Sequence, residues 1–227
     1  IIFLCNFFQA FNEHFYNLIC DYCEVRKFKF DEDLNKLLED NFKENISHNY
    51  PIINEFIDKL KNSDKPYIVT AAGPSLDFEL DLVKEYRNKF NIISVGSSLK
   101  TVMNKGIKPD AIVILDGKEV VRKQLVGYEN ENIPLCFSSS ASRWTVNAYN
   151  GPKYIFNIEK KNEIIIKTMG TVAVAAIDIT VKCGAKEIIL LGQDLAFIDG
   201  KSHTSMFEKV YGFKDDVKNR HKNKTVV

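Results

Sequence analysis

Six short, almost continuously apolar runs follow one another after residue 66, and they limit the fold more than any other feature of the sequence. The runs are YIVTA, NIISVG, AIVILD, PLCFSS, YIFNI and EIILLG. Because polar residues do not alternate with the apolar ones, both faces of each strand should be buried, as in a parallel sheet covered by helices on each side. The sequence therefore predicts an α/β protein with a Rossmann-like, doubly wound and mostly parallel sheet.

Helical patterns separate these strands. We expect helices at about 76–89, 99–105 and 172–182. The third segment, GTVAVAAIDITVKCGAKE, contains a Val-Ala-Val alternation that is also typical of a strand. Its length, with Thr171 at the start and Gly184 after the end, favours a buried helix.

Residues 1–62 predict an N-terminal helical region, part of a truncated domain, because DEDLNKLLEDNFKENI and IINEFIDKLKN both space apolar residues as a helix does. Asp31-Glu32-Asp33 has the DxD pattern by which many glycosyltransferases hold a metal–diphosphate, but its position favours helix capping. Residues 63–213 then form the Rossmann-like domain. Residues 214–227 form a polar tail or the start of a further segment.

Charge and cysteine content exclude several classes of protein. A net charge of +1 provides no field for nucleic acid or for an anionic membrane. Polar residues interrupt the apolar opening, IIFLCNFFQAFNEHF, well short of a membrane span, and it lacks the basic start of a signal peptide. Five cysteines do not indicate a disulfide framework. Cys20 and Cys23 have metal or redox spacing without a second pair, so two reduced thiols in a cytoplasmic protein are favoured.

Small or polar residues follow the predicted strands, where doubly wound sheets bind their ligands. These residues are Gly73-Pro74-Ser75, Gly96-Ser97, Asp116-Gly117, the hydroxyl run at 138–142 and Gln193-Asp194, with Gly170-Thr171 at the start of the last predicted helix. Together they predict a crevice for a nucleotide or a sugar.

The turn Gly73-Pro74-Ser75 has two interpretations. Small residues let a ligand approach the main chain, and a helix N-terminus favours an anion. Pro74 has no N–H, however, and Asp77 and Glu79 bring negative charge to the first helical turn. A tight turn with Ser75 as helix cap explains the same residues. The segment is neither GxGxxG nor a Walker motif.

Two carboxylates and one imidazole are the candidate chemical groups. Asp116 could accept ribose hydroxyls, hold Mg²⁺ or form a turn, and Asp194 has the same alternatives or could anchor its loop. His203 could deprotonate an acceptor hydroxyl, although a loop histidine is often only a surface residue. Arg143 and Lys118 are the nearby cations that could meet a phosphate. Trp144 could stack on a ligand or pack in the core.

Three segments, GPSLD, GIKPDAIVILDG and GTVAVAAIDITVKCGAKEIILLGQDLAF followed by DGKSH, resemble the motility accessory factor family. That family shares its domain with the archaeal MptE-like hydroxymethylpterin diphosphokinases, and the similarity covers about residues 42–203. It implies a cytoplasmic glycosyltransferase that moves a nonulosonic acid (pseudaminic or legionaminic acid) from its CMP-activated form to Ser or Thr of flagellin. The central domain of that family is similar to the bacterial sialyltransferases.

The resemblance also assigns residues. Ala72 stands where the sialyltransferases have Asn, and the charge of Asp116 would repel a phosphate unless a metal or a hydroxyl meets it. His203 fits the motility family's own pattern. The matched binding positions are the turn Gly73, Pro74 and Ser75, the nucleotide positions Ser97 and Asp116, the helix start Gly170 and Thr171, and the strand end Gln193 and Asp194.

Three hypotheses follow. The first is a flagellin nonulosonic acid transferase with residues 63–213 as its nucleotide-sugar-binding domain, His203 as base and Asp116 at the leaving group. Mg²⁺ at Asp116 is the one cofactor that the sequence suggests. The second is an MptE-like diphosphokinase that uses ATP and Mg²⁺ on a pterin alcohol, with Asp116 and Asp194 as metal ligands. The third is a non-enzymatic nucleotide-binding motility factor.

Overall fold

The computed structural model describes Asn17 and residues 32–61 and 63–213. The chain divides into two compact units, 1–39 and 40–227, and the sheet lies in the second. The predicted pair Cys20 and Cys23, Asp31 and the tail at 214–227 lie outside the described residues. The domain division at 62/63 and 213/214 stays a prediction.

The described part of the chain alternates helices and strands after residue 66. No helix in it is long and apolar enough to cross a bilayer. The elements in chain order are α1 (Glu32–Ser47), α2 (Ile53–Leu60), β1 (Tyr67–Thr70), α3 (Leu76–Glu85), β2 (Asn91–Val95), α4 (Gly96–Asn104), β3 (Ala111–Ile114), α5 (Arg122–Leu125), β4 (Leu135–Ser138), α6 (Arg143–Ala148), β5 (Lys153–Phe156), α7 (Val172–Lys182), β6 (Ile188–Leu191) and α8 (Met206–Tyr211), with 3₁₀ turns at Arg87–Lys89 and Glu119–Val121.

The six strands form one sheet in the order β5-β4-β3-β2-β1-β6, and every neighbouring pair is parallel. The chain moves outward from β1 to β5 and then returns through α7, which places β6 on the other side of β1. In the centre of this register, Val69 of β1 lies between Ile93 of β2 and Leu190 of β6. The strand order therefore reverses between β1 and β6, which is where a doubly wound sheet opens a crevice.

Alternate strand residues face the two helical layers. Val69, Ile93 and Val113 belong to the core cluster that contains α2 and α7 residues. Ile68 and Ile112 belong to the clusters on the other face, with residues of α3 to α6. Helices on both faces of a parallel sheet confirm the predicted fold class.

The helix predicted at 172–182 is confirmed as α7. Thr171 is its N-cap, since Thr171 Oγ1 accepts a hydrogen bond from the Val174 N–H at 3.2 Å. In α1, Glu32 and Asp33 lie in the first turn. This position suits acidic residues at a helix N-terminus.

Two predicted helix bounds and one cap were wrong. The helix α3 ends at Glu85, because Tyr86 leaves the helical conformation (φ −106°, ψ 23°) and a 3₁₀ turn follows. Ser75 does not cap α3, since its hydroxyl lies 3.2 Å from Glu79 Oε2. The helix α4 begins at Gly96 rather than near 99. Its first turn can be buried because Ser98 Oγ lies 3.0 Å from the Thr70 carbonyl oxygen of the neighbouring strand.

Candidate functional site

A cavity of about 450 Å³ lies where the strand order reverses. The ends of β1, β2 and β6, the start of α7 and the loop before α8 line it. A cavity of this volume suits a small-molecule ligand. The polar residues of the lining are Ser97, Gln193, Asp194, Ser202 and His203, and apolar or small residues such as Ala71, Ala72, Gly73, Val95 and Val172 form the rest.

The small residues after β1 allow β6 to pack closely against the turn. The Gly73 N–H donates to the Gly192 carbonyl at 2.7 Å, and the Ser75 N–H donates to Asp194 Oδ2 at 2.9 Å. A Cβ at Gly73 would lie 2.2 Å from Asp194 Oδ2 and 2.4 Å from the Gly192 oxygen. Glycine is therefore needed here for close packing within the protein.

The same contacts bear on anion binding at this turn. The two N–H groups that could face a phosphate, those of Gly73 and Ser75, are already hydrogen-bonded, and Pro74 has none. A phosphate could use the Ser75 N–H only by replacing the carboxylate of Asp194. We therefore expect a ligand phosphate to lie elsewhere in the crevice.

A second carboxylate makes the reciprocal contact between the same two segments. Glu79 Oε2, on α3, accepts from the Gly192 N–H at 3.1 Å. Gly192 has a φ of +67°, and a Cβ there would lie 2.2 Å from the Ala71 carbonyl oxygen. We call the Asp194–Ser75 and Glu79–Gly192 hydrogen bonds the β1–β6 clamp. Asp194 thus anchors its loop, which is one of the roles that the sequence suggested.

The start of α4 places one of its two predicted residues in the pocket. Ser97 is half-buried and lines the cavity. Gly96 is buried, and a Cβ there would lie 2.3 Å from Gln124 Oε1, so its surface is covered by that side chain. Beneath them, Ser98 Oγ lies 2.9 Å from both Thr70 Oγ1 and Ser94 Oγ. These hydroxyls hold β1 and β2 at a fixed spacing below the pocket.

His203 reaches the pocket because the loop after β6 folds back over the ends of β1 and β2. The Thr204 N–H donates to the Ala72 carbonyl at 3.0 Å, and Thr204 Oγ1 lies 2.9 Å from Thr101 Oγ1 on α4. The imidazole stacks on Phe207, with ring centroids 4.2 Å apart. Its Nδ1 lies 2.8 Å from Ser202 Oγ. These contacts fix the orientation of the ring at the pocket wall.

Asp116 lies outside the lining of this pocket. It is exposed at the end of β3, and its Oδ1 accepts from the Lys118 N–H at 3.0 Å, which is the turn-forming role. Burial raises the pKa of Tyr211, and the charge of Asp116 raises it further, whereas the hydrogen bond from Gln124 lowers it.

The residues present do not fit the predicted pair of Mg²⁺ ligands. Asp194 lines the pocket and has one carboxylate oxygen on Ser75, whereas Asp116 is not part of that lining. Among the described residues, no group of three or more His, Cys, Asp or Glu side chains could hold a metal ion.

The predicted helix start at Gly170 and Thr171 lies at the margin of the pocket, whose lining reaches Val172 and Ala173. Thr171 uses its hydroxyl as the cap of α7. Gly170 is exposed with a φ of +77°, and a Cβ there would meet nothing within 4 Å. There is thus open space in front of this helix N-terminus.

The hydroxyl run after β4 is covered by α1 rather than open to the pocket. Two buried asparagines, which the sequence analysis missed, make the contacts. Asn45 Nδ2 donates to the carbonyls of Ser139 and Ala141, and Asn41 Nδ2 donates to that of Gly117. Two asparagines four residues apart on an amphipathic helix are the signal that could have indicated this contact.

Arg143 and Trp144 form part of the same region. Arg143 Nη1 donates to Asn41 Oδ1 at 3.3 Å, and its Nε lies 3.4 Å from Glu44 Oε2. The guanidinium carbon lies 4.2 Å from the centroid of the Trp144 ring. The predicted phosphate cation, Arg143, therefore contacts both the predicted stacking ring and α1.

The fold and the pocket define a class of protein, a Rossmann-like α/β domain with a small-ligand crevice where its strand order reverses. A family model described as 6-hydroxymethylpterin diphosphokinase MptE-like matches residues 39–200, so the chain belongs to that family. This confirms the MptE-like part of the resemblance indicated by the sequence motifs.

The fold is also similar to that of a solved MAf glycosyltransferase from Magnetospirillum magneticum AMB-1. The sequences are 18% identical, the TM-score is 0.51, and the match covers 66% of this chain and 30% of the other. At this identity the similarity concerns the fold. The comparison with curated proteins found no match.

Proposed function

We propose that this chain is a glycosyltransferase that moves a CMP-activated nonulosonic acid to a Ser or Thr hydroxyl of flagellin. The observation that carries the proposal is the pocket between β1 and β6, which has small residues on one wall and the His203 imidazole on another. Membership in the MptE-like family and a fold shared with a protein described as a MAf glycosyltransferase support it.

The charges of the pocket favour a donor with a single phosphate. Asp194 is the one carboxylate among the lining residues that the structure describes, and these include no Lys or Arg. A desolvated phosphate needs compensation by cations or N–H donors. A CMP-activated nonulosonic acid carries one negative charge on its phosphodiester and one on the sugar carboxylate, whereas the triphosphate of ATP concentrates more negative charge in one place. The former is the easier ligand for this lining to hold.

The reaction assigns the proton transfer to His203. As the bond from the anomeric carbon to the phosphate oxygen breaks, the acceptor oxygen forms a new bond to that carbon and CMP leaves with the electron pair. The acceptor proton passes to His203 Nε2 in the tautomer whose Nδ1–H donates to Ser202 Oγ. The small side chains of Ala71 and Ala72 leave room for a part of the donor other than its phosphate to lie against this wall of the pocket, which contributes orientation.

The second candidate is a diphosphokinase that uses ATP and Mg²⁺ on a pterin alcohol. The description of the matching family favours it. The separation of Asp116 from the pocket lining disfavours it, because the predicted pair of metal ligands is not brought together. A cation-free lining also holds a triphosphate poorly.

A transfer assay on His203→Asn tests the proposal. With flagellin and CMP-activated nonulosonic acid, the wild-type chain should release CMP and add the mass of one sugar to the acceptor. His203→Asn should still unfold cooperatively and lose about 10²–10⁴-fold in rate, as loss of a general base does. Ser202→Ala should retain most of the activity, because it only loosens the orientation of the ring.

The other outcomes are also informative. If AMP is released from ATP in the presence of a pterin alcohol, and CMP donors are inert, the diphosphokinase is correct. If neither reaction occurs although a nucleotide binds, the chain is a non-enzymatic nucleotide-binding motility factor. Full transfer by His203→Asn would remove His203 from the chemistry.

A further inference from the structure

Within residues 32–61 and 63–213, the outer edge of β6 is an unpaired sheet edge. Strand β6 ends the strand order, and no strand within the described residues pairs with its outer side. Ile188–Leu191 contains no Lys, Pro or bulge, which are the usual means by which proteins protect an edge. Ile189 and Leu190 point to opposite faces of the sheet and are 40% and 46% exposed. Apolar surface is therefore exposed on both sides of this edge.

Helix α3 continues this apolar surface on one face of the sheet. Phe78 and Leu82 lie on its exposed side at four-residue spacing, and Tyr86, the residue that directly follows the helix, continues this spacing. They are 73%, 67% and 46% exposed, respectively. Residues at this spacing form one stripe on a helix.

The contacts of α3 show that this stripe lies on the side of β6. Glu79 reaches the Gly192 N–H at the end of β6, and Leu82 and Tyr86 share its flank at positions i+3 and i+7. The opposite flank faces α4, because Asp81 pairs with Lys105 at 2.8 Å. We call the five residues Phe78, Leu82, Tyr86, Ile189 and Leu190 the edge face.

The area of the edge face is near what a dimer needs. At about 150–250 Å² for a large side chain, its exposed fractions leave on the order of 500 Å² of apolar surface on one copy. A stable interface buries about 800 Å² per partner, and the open backbone of β6 and neighbouring polar atoms can supply the remainder. The five side chains carry no charge, so a second edge face would meet no repulsion from them.

We propose that the edge face binds the edge face of a second copy of this chain in a two-fold symmetric dimer. In a two-fold symmetric contact, an edge strand lies antiparallel to the same strand of the other subunit. Strand β6 therefore pairs with β6 of the second copy, and the sheet continues through the interface. The unpaired N–H and C=O groups of both edges then bond to each other. The stripes of the two α3 helices lie side by side across the axis and bury one another.

Sedimentation velocity of the full chain tests this proposal. The measurement covers about 1 to 100 μM, the concentration range in which the dissociation constant of such an interface is measurable. The wild-type chain should sediment as a dimer at the upper end. Ile189→Lys should raise the dissociation constant at least tenfold, because it places a charge at the paired edge. Val126→Glu is the matched control, since Val126 is 47% exposed outside the edge face and its substitution should leave the dimer intact.

Hydrogen exchange provides a second measurement that does not depend on a variant's folding. The amides on the outer edge of β6 should exchange more slowly as the wild-type concentration rises. A wild-type chain that stays monomeric throughout the range, or a dimer that survives Ile189→Lys unchanged, would overturn the proposal. So would a dimer whose β6 amides exchange at the monomer rate.

Discussion

The β1–β6 clamp joins two segments that lie far apart in the sequence by a pair of carboxylate contacts, and its energy can be measured. Asp194→Ala removes the acceptor of the Ser75 N–H. A hydrogen bond to a charged group contributes about 1.5–3 kcal/mol, and we expect about 1.5 because Asp194 is only half-buried. Glu79→Ala should cost about 2 kcal/mol, since it also removes a charge from the first turn of α3.

A double-mutant cycle then tests whether the two contacts act as one unit. Once either carboxylate is lost, the two segments can separate slightly, so the second loss should cost less than it does alone. The double variant should fall short of the sum of the single effects by at least about 0.5 kcal/mol. Urea unfolding at pH 7 measures all four free energies of unfolding.

Asp81→Ala is the control for this cycle. It removes an acidic side chain from the same helix, but its ion pair with Lys105 is at the surface and should contribute about 0–1 kcal/mol. Single effects of Asp194→Ala and Glu79→Ala no larger than this control, or strict additivity, would refute the idea of a clamp.

Two further predictions concern stability. Gly192→Ala should lower the free energy of unfolding, measured in urea, by more than about 3 kcal/mol, because the residue has a positive φ and the added Cβ would lie 2.2 Å from the Ala71 oxygen. Gly170→Ala should lower it by only about 1–2 kcal/mol, because Gly170 also has a positive φ but an added Cβ would meet open space. Burial raises the pKa of Tyr149 from 10.0 to about 12. Between these values the unfolded state loses the phenolic proton while the folded state keeps it. The contribution of Tyr149 to the free energy of unfolding is therefore fully present below pH 10 and should be lost as the pH rises toward 12. Tyr149→Phe should be less stable at pH 8 by about 1–3 kcal/mol, because the hydrogen bonds between the Tyr149 hydroxyl and the Ile133 backbone are lost. In urea unfolding at a series of pH values, the free energy of unfolding of this variant should fall less between pH 10 and pH 12 than that of the wild-type chain.

The sequence predicts the layers of this fold well, for a clear physical reason. All six runs form strands of the parallel sheet, and the four inner strands β1 to β4 are almost continuously apolar because both of their faces are buried. The expected burial of both faces was wrong for β6, which is equally apolar but lies at an edge and is partly exposed. Thr171 and Gly184 also bracket α7 as expected. The early start of α4 could not be predicted, because the hydroxyl of Ser98 in its first turn donates to the carbonyl of Thr70, which belongs to β1.

The site was predictable only in part. Gly73, Ser97, Asp194 and His203 do line one pocket, because each follows a strand end or loop beside the point of reversal. Asp116 also follows a strand, but β3 is separated from β1 by β2. Strand order depends on how the crossovers pack, and local sequence patterns do not contain it.

Ligand-dependent thermal unfolding of the wild-type chain and of Ala72→Leu tests most directly whether the pocket binds a CMP-activated donor, because the substitution enlarges a side chain of the pocket lining. CMP or a CMP-activated sugar at a hundred times its Kd should stabilise the wild-type chain by about 2.7 kcal/mol, and Ala72→Leu should abolish this shift while its ligand-free unfolding stays cooperative. Asp116→Ala, outside the pocket lining, should keep the shift. Stabilisation by ATP with Mg²⁺ alone, or a CMP shift that persists in Ala72→Leu, would show that this pocket is not the site of a CMP-activated donor.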